Sequence, residues 1–222
     1  MSSSPKQQQD DDPYLWLEDV ESEDSLNFAK ASNAACLQAL GNPERSESYS
    51  RILAVLESDD RIPSVSQFGH DDNHGDAILV NFWKDSKNPK GLWRLTTLSS
   101  YKTPSPEWKV LLNVDELAET DMISWVWKGS RPLPRSLDGD SRMVSRALLS
   151  LSRGGSDAVH IKEFDLTTGT FVETDPFHVP EAKTRISYKS RDVVLVGTDF
   201  GPESLTDSGY PRTVREWVRG TK

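Results

Sequence analysis

The stretch Ala147 to Val172, ALLSLSRGGSDAVHIKEFDLTTGTFV, constrains the fold more than any other part of the chain. Leu148, Leu149 and Leu151 form an apolar run that stops at Ser152-Arg153-Gly154-Gly155-Ser156-Asp157. Val159, Ile161 and Phe164 form a second, and Thr168-Gly169 turns the chain into Thr170-Phe171-Val172. Connections this short join antiparallel strands, because a parallel pair needs a crossover of a dozen residues or more. The alternation in Val159-His160-Ile161-Lys162 puts apolar side chains on one face and polar ones on the other. It predicts a sheet covered on one side, which needs neighbours to cover it.

The neighbours can be found by turn chemistry. After Arg61-Ile62-Pro63, β-branched and aromatic residues predict strands near 64 to 68, 77 to 84, 91 to 98 and 108 to 114. Ala77 to Trp83, Val144 to Leu151 and Val193 to Thr198 occupy equivalent places, followed by Leu92 to Leu98, Val159 to Asp165 and Thr213 to Val218. Met122 to Trp127 and Thr184 to Tyr188 precede the later two, and Trp108 to Val114 and Thr170 to Glu173 supply fourth strands. Irregular spacings of about 45 to 70 residues suit blades with variable loops. The predicted fold is mainly β: an incomplete antiparallel β-propeller of about two and a half blades, at about 61–115, 120–175 and 182–222, preceded by a short N-terminal helical arm. The third unit reaches Arg219-Gly220-Thr221-Lys222 without a fourth strand, leaving Val214, Trp217 and Val218 on an unpaired edge. Amides from 211 to 219 are therefore expected to exchange faster than those from 147 to 165.

Residues 1 to 12 are polar, end in Asp10-Asp11-Asp12 and predict a disordered tail. Pro13 to Asp60 form the expected arm. Tyr14-Leu15-Trp16-Leu17 reads as an extended segment docked on an unknown partner. Ser25 to Leu40 reads as a helix, with Leu26, Ala29, Cys36, Leu37 and Leu40 near helical spacing and Ser22 or Asp24 as the cap. Gly41 and Asn42 end it. Asn42 then caps a second helix with Pro43 at its first position and Tyr49, Ile52, Leu53 and Leu56 on one stripe. Such a stripe is a packing surface.

The formal net charge of -9 disfavours a long-range pull toward nucleic acid phosphates or anionic lipid, so no nucleic acid partner is assigned. No apolar run reaches the length of a membrane helix, and the opening MSSSPKQQQDDDP lacks the regions of a secretory signal. With the single Cys36 unable to pair internally, a cytoplasmic location is expected.

Several motifs carry a family resemblance. Asp12-Pro13-Tyr14-Leu15-Trp16-Leu17-Glu18-Asp19, Asn81-Phe82-Trp83-Lys84-Asp85 with Gly91-Leu92-Trp93-Arg94, Ser150 to Asp157, and Gly197-Thr198-Asp199-Phe200-Gly201 resemble the N-terminal part of prolyl oligopeptidase family serine peptidases. The resemblance covers about residues 12 to 222. It implies a β-propeller that covers an α/β-hydrolase domain, built partly from the helical arm, and restricts entry to short peptides, commonly cut after proline. It also implies that the nucleophilic Ser, the Asp and the His belong to a hydrolase portion absent from this chain. No catalytic residue is carried over.

The residues themselves agree. The chain contains no Gly-x-Ser-x-Gly elbow, and Ser152 lacks the preceding Gly and is followed by a strand, so it reads as part of a hairpin connection. His70 and His74, around Asp71-Asp72-Asn73, have the spacing of a metal pair but occupy a predicted polar loop, so no metal is assigned. Gly154-Gly155 is a turn rather than an anion nest, His160 is expected at the surface and His178 in a loop. No cofactor is expected. The expected function is the non-catalytic N-terminal portion of a prolyl oligopeptidase-like endopeptidase, with the missing hydrolase domain as partner and short peptides as substrate. The alternative is a free-standing propeller-like interaction protein, its exposed strand edge pairing to a partner.

Overall fold

The computed structural model describes residues 12–58, 60–72 and 75–221. The expected tail lies outside the described residues except for Asp12. The chain divides at 58/59 into two units.

In the first unit, Ser22 accepts a hydrogen bond from the Ser25 amide and starts helix α1 (Glu23–Leu40), with Glu23 and Asp24 favourably placed in its first turn. Two expectations are corrected here. Leu15–Glu18 is a 3-10 turn rather than an extended segment, and its partner is Phe28 of α1, 5.6 Å from the Trp16 ring and 6.2 Å from that of Tyr14. The second helix also does not begin at Pro43. Asn42 caps a short 3-10 turn, Pro43–Arg45, and Ser46 then adopts an extended backbone and accepts from the Tyr49 amide to start helix α2 (Glu47–Leu56). Nothing within this unit covers the stripes: Leu40 is 83% exposed, and Ile52 and Leu56 are about as open, at 60% and 61%.

The second unit is three antiparallel sheets. The first is β1 (Ser66–His70), β2 (Ala77–Trp83), β3 (Leu92–Thr97) and β4 (Lys109–Asn113), hydrogen-bonded in chain order. Helix α3 (Leu98–Tyr101) lies within the β3–β4 connection, and helix α4 (Val114–Asp121) follows β4. The second sheet orders β5 (Trp125–Pro132), β6 (Arg146–Arg153), β7 (Val159–Asp165) and β8 (Thr170–Phe171), and the third orders β10 (Arg185–Ser190), β11 (Val193–Gly197) and β12 (Arg215–Val218). These are the mainly β, open sheets of a partial propeller.

Three elements were not foreseen: helix α3, which takes up the end of the strand expected near 91 to 98, helix α4 and strand β9. Helix α4 takes Val114 from the end of one predicted strand and fills the interval before the next, because Asn113 accepts from the amides of Asp115 and Glu116, and Met122, expected to begin that next strand, closes the helix in the left-handed conformation. Its Val114 and Ala118 pack on Trp125 and Leu151. Strand β9 (Val179–Ala182) joins the second sheet, so the outer edge of β7 is shared: β8 pairs with Phe164 and Asp165, and β9 with Val159 and Ile161.

The middle sheet is covered on both faces, not one. Ala147, Leu149 and Phe164 pack against Phe68, Ile78, Val80 and Trp93 of the first sheet. Leu148, Val159 and Ile161 pack against Tyr188, Val194 and Val196 of the third. A strand buried on both sides reads as a continuous apolar run, which is why β6 contains Ala147-Leu148-Leu149. On the first-sheet side, Phe82 stacks on Trp127 with centroids 4.8 Å apart, and Trp93 meets Trp127 and Phe164 at 5.5 and 5.4 Å. The backbones also join there: the Val144 amide donates to the Phe68 carbonyl at 2.8 Å and the His70 amide to that of Arg142 at 2.9 Å. Gly69 lies between them at φ +123°, and a β-carbon on it would sit 2.1 Å from the Arg142 oxygen.

On the third-sheet side the joint is ionic. Glu163 of β7 is 1% exposed, lying in the gap between the β8 and β9 pairings. Its Oε2 accepts from Arg219 Nη1 at 2.8 Å and the Phe177 amide at 3.1 Å, and its Oε1 from Arg219 Nη2 and the Tyr188 hydroxyl, both at 2.9 Å. Arg219 also donates to Asp192 and to the carbonyls of Asp175 and Arg191. A second ion pair, Arg191 with Asp138, ties the β10–β11 turn to the β5–β6 connection. The predicted unpaired edge thus has an anchor that the sequence did not reveal. Trp217 packs on Phe177 at 5.2 Å, while Val214 and Val218 stay exposed as expected.

Burial opposes ionisation of Glu163, but the Arg219 guanidinium and the Phe177 and Tyr188 donors outweigh it and hold the carboxyl below its ordinary range. A depressed folded-state pKa means that this stabilisation is complete above the unfolded carboxyl pKa, about 4.3, and is lost as pH falls through the lower folded value. Glu163→Gln is expected to cost about 3 kcal/mol at neutral pH, since it removes one partner of a buried pair. Urea unfolding at several pH values checks this: the deficit of the variant should shrink as pH drops below about 4. A pH-independent difference would contradict it.

Candidate functional site

The residues singled out in the sequence do not converge. Ser152 is an interior residue of β6, 0% exposed, and its hydroxyl has no hydrogen-bond partner, so it has neither access to a substrate nor a base beside it. Gly154 and Gly155, at φ 62° and 92°, make the β6–β7 turn, as expected. His70 is the last residue of β1 rather than part of a loop, 3.3 Å from Gln67 Nε2, and His74 lies outside the described residues. Among the described residues, no group of three or more His, Cys, Asp or Glu is placed to hold a metal ion. His178 is exposed in the segment before β9.

His160 is not at the surface. It points away from Val159 and Ile161, but Trp125 covers it edge-on at 5.2 Å, and its Nε2 is buried 3.7 Å from a Glu181 carboxylate oxygen. Burial pushes its pKa down, and Glu181 offsets this only in part. The face that alternation assigned to solvent is therefore packed.

One open feature of the sheets is a cleft of about 630 Å³ between the second and third. Its walls are β5 and β10, each hydrogen-bonded on one side alone, to β6 and β11. Ile186, Leu195 and Val214 supply its apolar lining, with Lys128, Arg131 and Arg185 as its charged groups. The β5 strand bulges between Trp127 and Gly129, and Gly129, at φ 126°, has nothing within 4 Å of where a β-carbon would stand. Backbone is thus accessible at the cleft wall. A smaller cleft of about 150 Å³ shares Lys128 and Arg185 and adds Lys183, Asp157 and Tyr210.

The charge here runs against that of the whole chain. Among the described residues, Lys128, Arg131, Lys183 and Arg185 form no ion pair within 4 Å. Asp157, the acid of the smaller cleft, accepts a 2.7 Å hydrogen bond from the Tyr210 hydroxyl. That bond, and then the charges of Lys183, Lys128 and Arg185, hold its carboxyl below the usual range. The arrangement can bind an anion or an extended chain. Sequence reasoning missed it because the cations are separated by 57 residues of chain and meet only when β5 and β10 face each other.

Comparison with known proteins gives this architecture a lineage. Residues 2–190 match the model of the prolyl oligopeptidase N-terminal beta-propeller domain. An uncharacterized peptidase of Sinorhizobium fredii is 31% identical over 210 residues, 94% of this chain and 27% of its own length. An uncharacterized peptidase of Rickettsia prowazekii is 28% identical over 217 residues, 92% of this chain and 28% of its own length. Among solved structures, a post-proline cleaving enzyme from Rickettsia typhi superposes with a TM-score of 0.72 at 26% identity, over 93% of this chain and 29% of the enzyme. The chain thus spans little more than a quarter of the length of these relatives. It belongs to the prolyl oligopeptidase family, as part of the N-terminal β-propeller domain.

Proposed function

We propose that this chain is the propeller-bearing portion of a serine-type endopeptidase, whose sheets govern the access of short peptides to a hydrolase domain. The family match over residues 2–190, with relatives that are themselves peptidases, carries the proposal. In it, residues 13–60 are an arm that packs on the hydrolase domain, and residues 61–222 belong to the propeller that shields it. The open stripes of α1 and α2 support that role for the arm, since two helices leaving Leu37, Leu40, Ile52 and Leu56 uncovered in their own unit have an apolar face to bury. In this reading no catalytic group is assigned to the chain, and the buried Ser152 hydroxyl has no hydrogen-bond partner to activate it. A cytoplasmic location is part of the same proposal, supported by the exposed free thiol of Cys36, and no described helix is long and apolar enough to cross a membrane.

A chimera tests the proposal. This chain, replacing the corresponding first segment of the Rickettsia typhi enzyme, is expected to give a protein that cleaves short prolyl peptides and spares folded proteins. A folded chimera that cuts no short peptide, or cuts folded proteins equally well, contradicts it. The 222-residue chain alone is expected to resist labelling by a fluorophosphonate, because nucleophile, base and oxyanion donors are not assembled in it. Covalent labelling of one serine would overturn that part.

The arm makes a separate prediction. The chain alone is expected to self-associate and to bind an apolar dye, and Ile52→Glu with Leu56→Glu should suppress both. Light scattering and dye fluorescence check this; a monodisperse, dye-silent wild-type chain contradicts it.

A further inference from the structure

The cleft between the second and third sheets combines three properties that nothing in the proposed gating role requires. The first is charge: Lys128, Arg131 and Arg185 line it without ion-pair partners, in a chain with a formal net charge of -9. Cations gathered in a concave site, with Asp157 the one carboxylate lining the adjoining space, focus an attractive potential for anions. The second is backbone: β5 and β10 each keep one side free of strand pairing among the described residues, and both sides border the cleft. A free strand edge holds an extended peptide by main-chain hydrogen bonds, independently of its sequence. The third is shape: about 630 Å³, with Ile186, Leu195 and Val214 in the lining, lies within the range of sites that hold small ligands.

We propose that this cleft recognises extended peptides that carry carboxylates, the backbone lying along the free edge of β5 or β10 and the carboxylate meeting the guanidinium groups of Arg131 and Arg185. An arginine fork matches the two oxygens of a carboxylate, giving a pairing that is geometrically selective as well as attractive. The cleft already accommodates one such group nearby, since the Asp157 carboxylate sits with Tyr210 in the adjoining space that Lys128 and Arg185 share. The proposal rests on the peptidase-propeller assignment and narrows it: among short peptides, those bearing acidic side chains or a free C-terminal carboxylate are held in preference to neutral ones. Lys128 and Lys183 extend the favourable field without adding a fork.

The test is direct binding to the full 222-residue chain. A dye-labelled hexapeptide with two Glu residues around a Pro is compared, by fluorescence anisotropy, with its Glu→Gln isostere and with inorganic phosphate as competitor. The acidic peptide should bind at least about tenfold more tightly than the isostere, and the preference should fade as salt rises from about 0.02 to 0.3 M. Arg131→Gln with Arg185→Gln should abolish the preference, and the Lys pair at the same positions should keep part of it by retaining charge without the fork. The Lys pair also supplies a reading if the Gln pair fails to fold. Equal binding of the two peptides, a preference unchanged in the Gln pair, or displacement of the peptide by phosphate at equimolar concentration would each overturn the proposal, the last by marking a site for free anions. Each of these outcomes bears on the cleft alone, leaving the chimera to judge the peptidase role.

Discussion

The structure depends on one buried carboxylate. Glu163 lies inside the second sheet, 1% exposed, and an ionised group there is tolerated only if its oxygens are fully occupied. They are: Arg219 grips both, Tyr188 and the Phe177 amide take the remaining directions, and Arg146 stands 3.7 Å away. These donors come from the segment before β9, from β10 at one edge of the third sheet and from the residue following β12 at the other. Satisfying one charge therefore fixes three segments at once. Hydrophobic contact alone holds two sheets together without choosing their register so narrowly.

The two joints of the middle sheet divide the work. Toward the first sheet, aromatic stacking and a backbone bridge at Gly69 leave no space. Toward the third, the apolar contacts and the Glu163 and Asp138 ion pairs close one side, while β5 and β10 remain apart on the other. The open cleft follows from where the ionic joints sit. In the proposed role, a basic cleft walled by the edge strands β5 and β10 belongs to the path of an incoming peptide.

Much of this was legible in the sequence, and what was not has identifiable causes. The Gly154-Gly155 and Thr168-Gly169 turns and the apolar runs around them gave the antiparallel sheets, because turn chemistry is local. Helix α4 escaped notice because VDELAETD is short and weakly apolar, and its cap is the last residue of a strand. His160 and Lys162 were assigned to solvent because alternation distinguishes faces without saying how many are covered. Glu163 did leave a signal: it has the same parity as Val159 and Ile161, so a charge stood on the face predicted to be buried. Its partner could not be named, since Arg219 is 56 residues away and looked like the end of an unfinished edge. The cations of the cleft are each ordinary surface residues in sequence, and only the facing of two edge strands, β5 and β10, groups them.

The central claim is that Glu163 anchors the third sheet, including its outermost strand, to the second. Hydrogen exchange followed segment by segment in the wild type and in Glu163→Gln tests it most directly. In the wild type, the Arg219 amide, bonded to the Asp192 carbonyl at 2.8 Å, should be protected to an extent comparable with the amides of β7. In the variant, protection should collapse across β10 to β12 while β2 and β3 keep theirs. Rapid exchange at Arg219 in the wild type, or an unchanged pattern in the variant, would contradict the account.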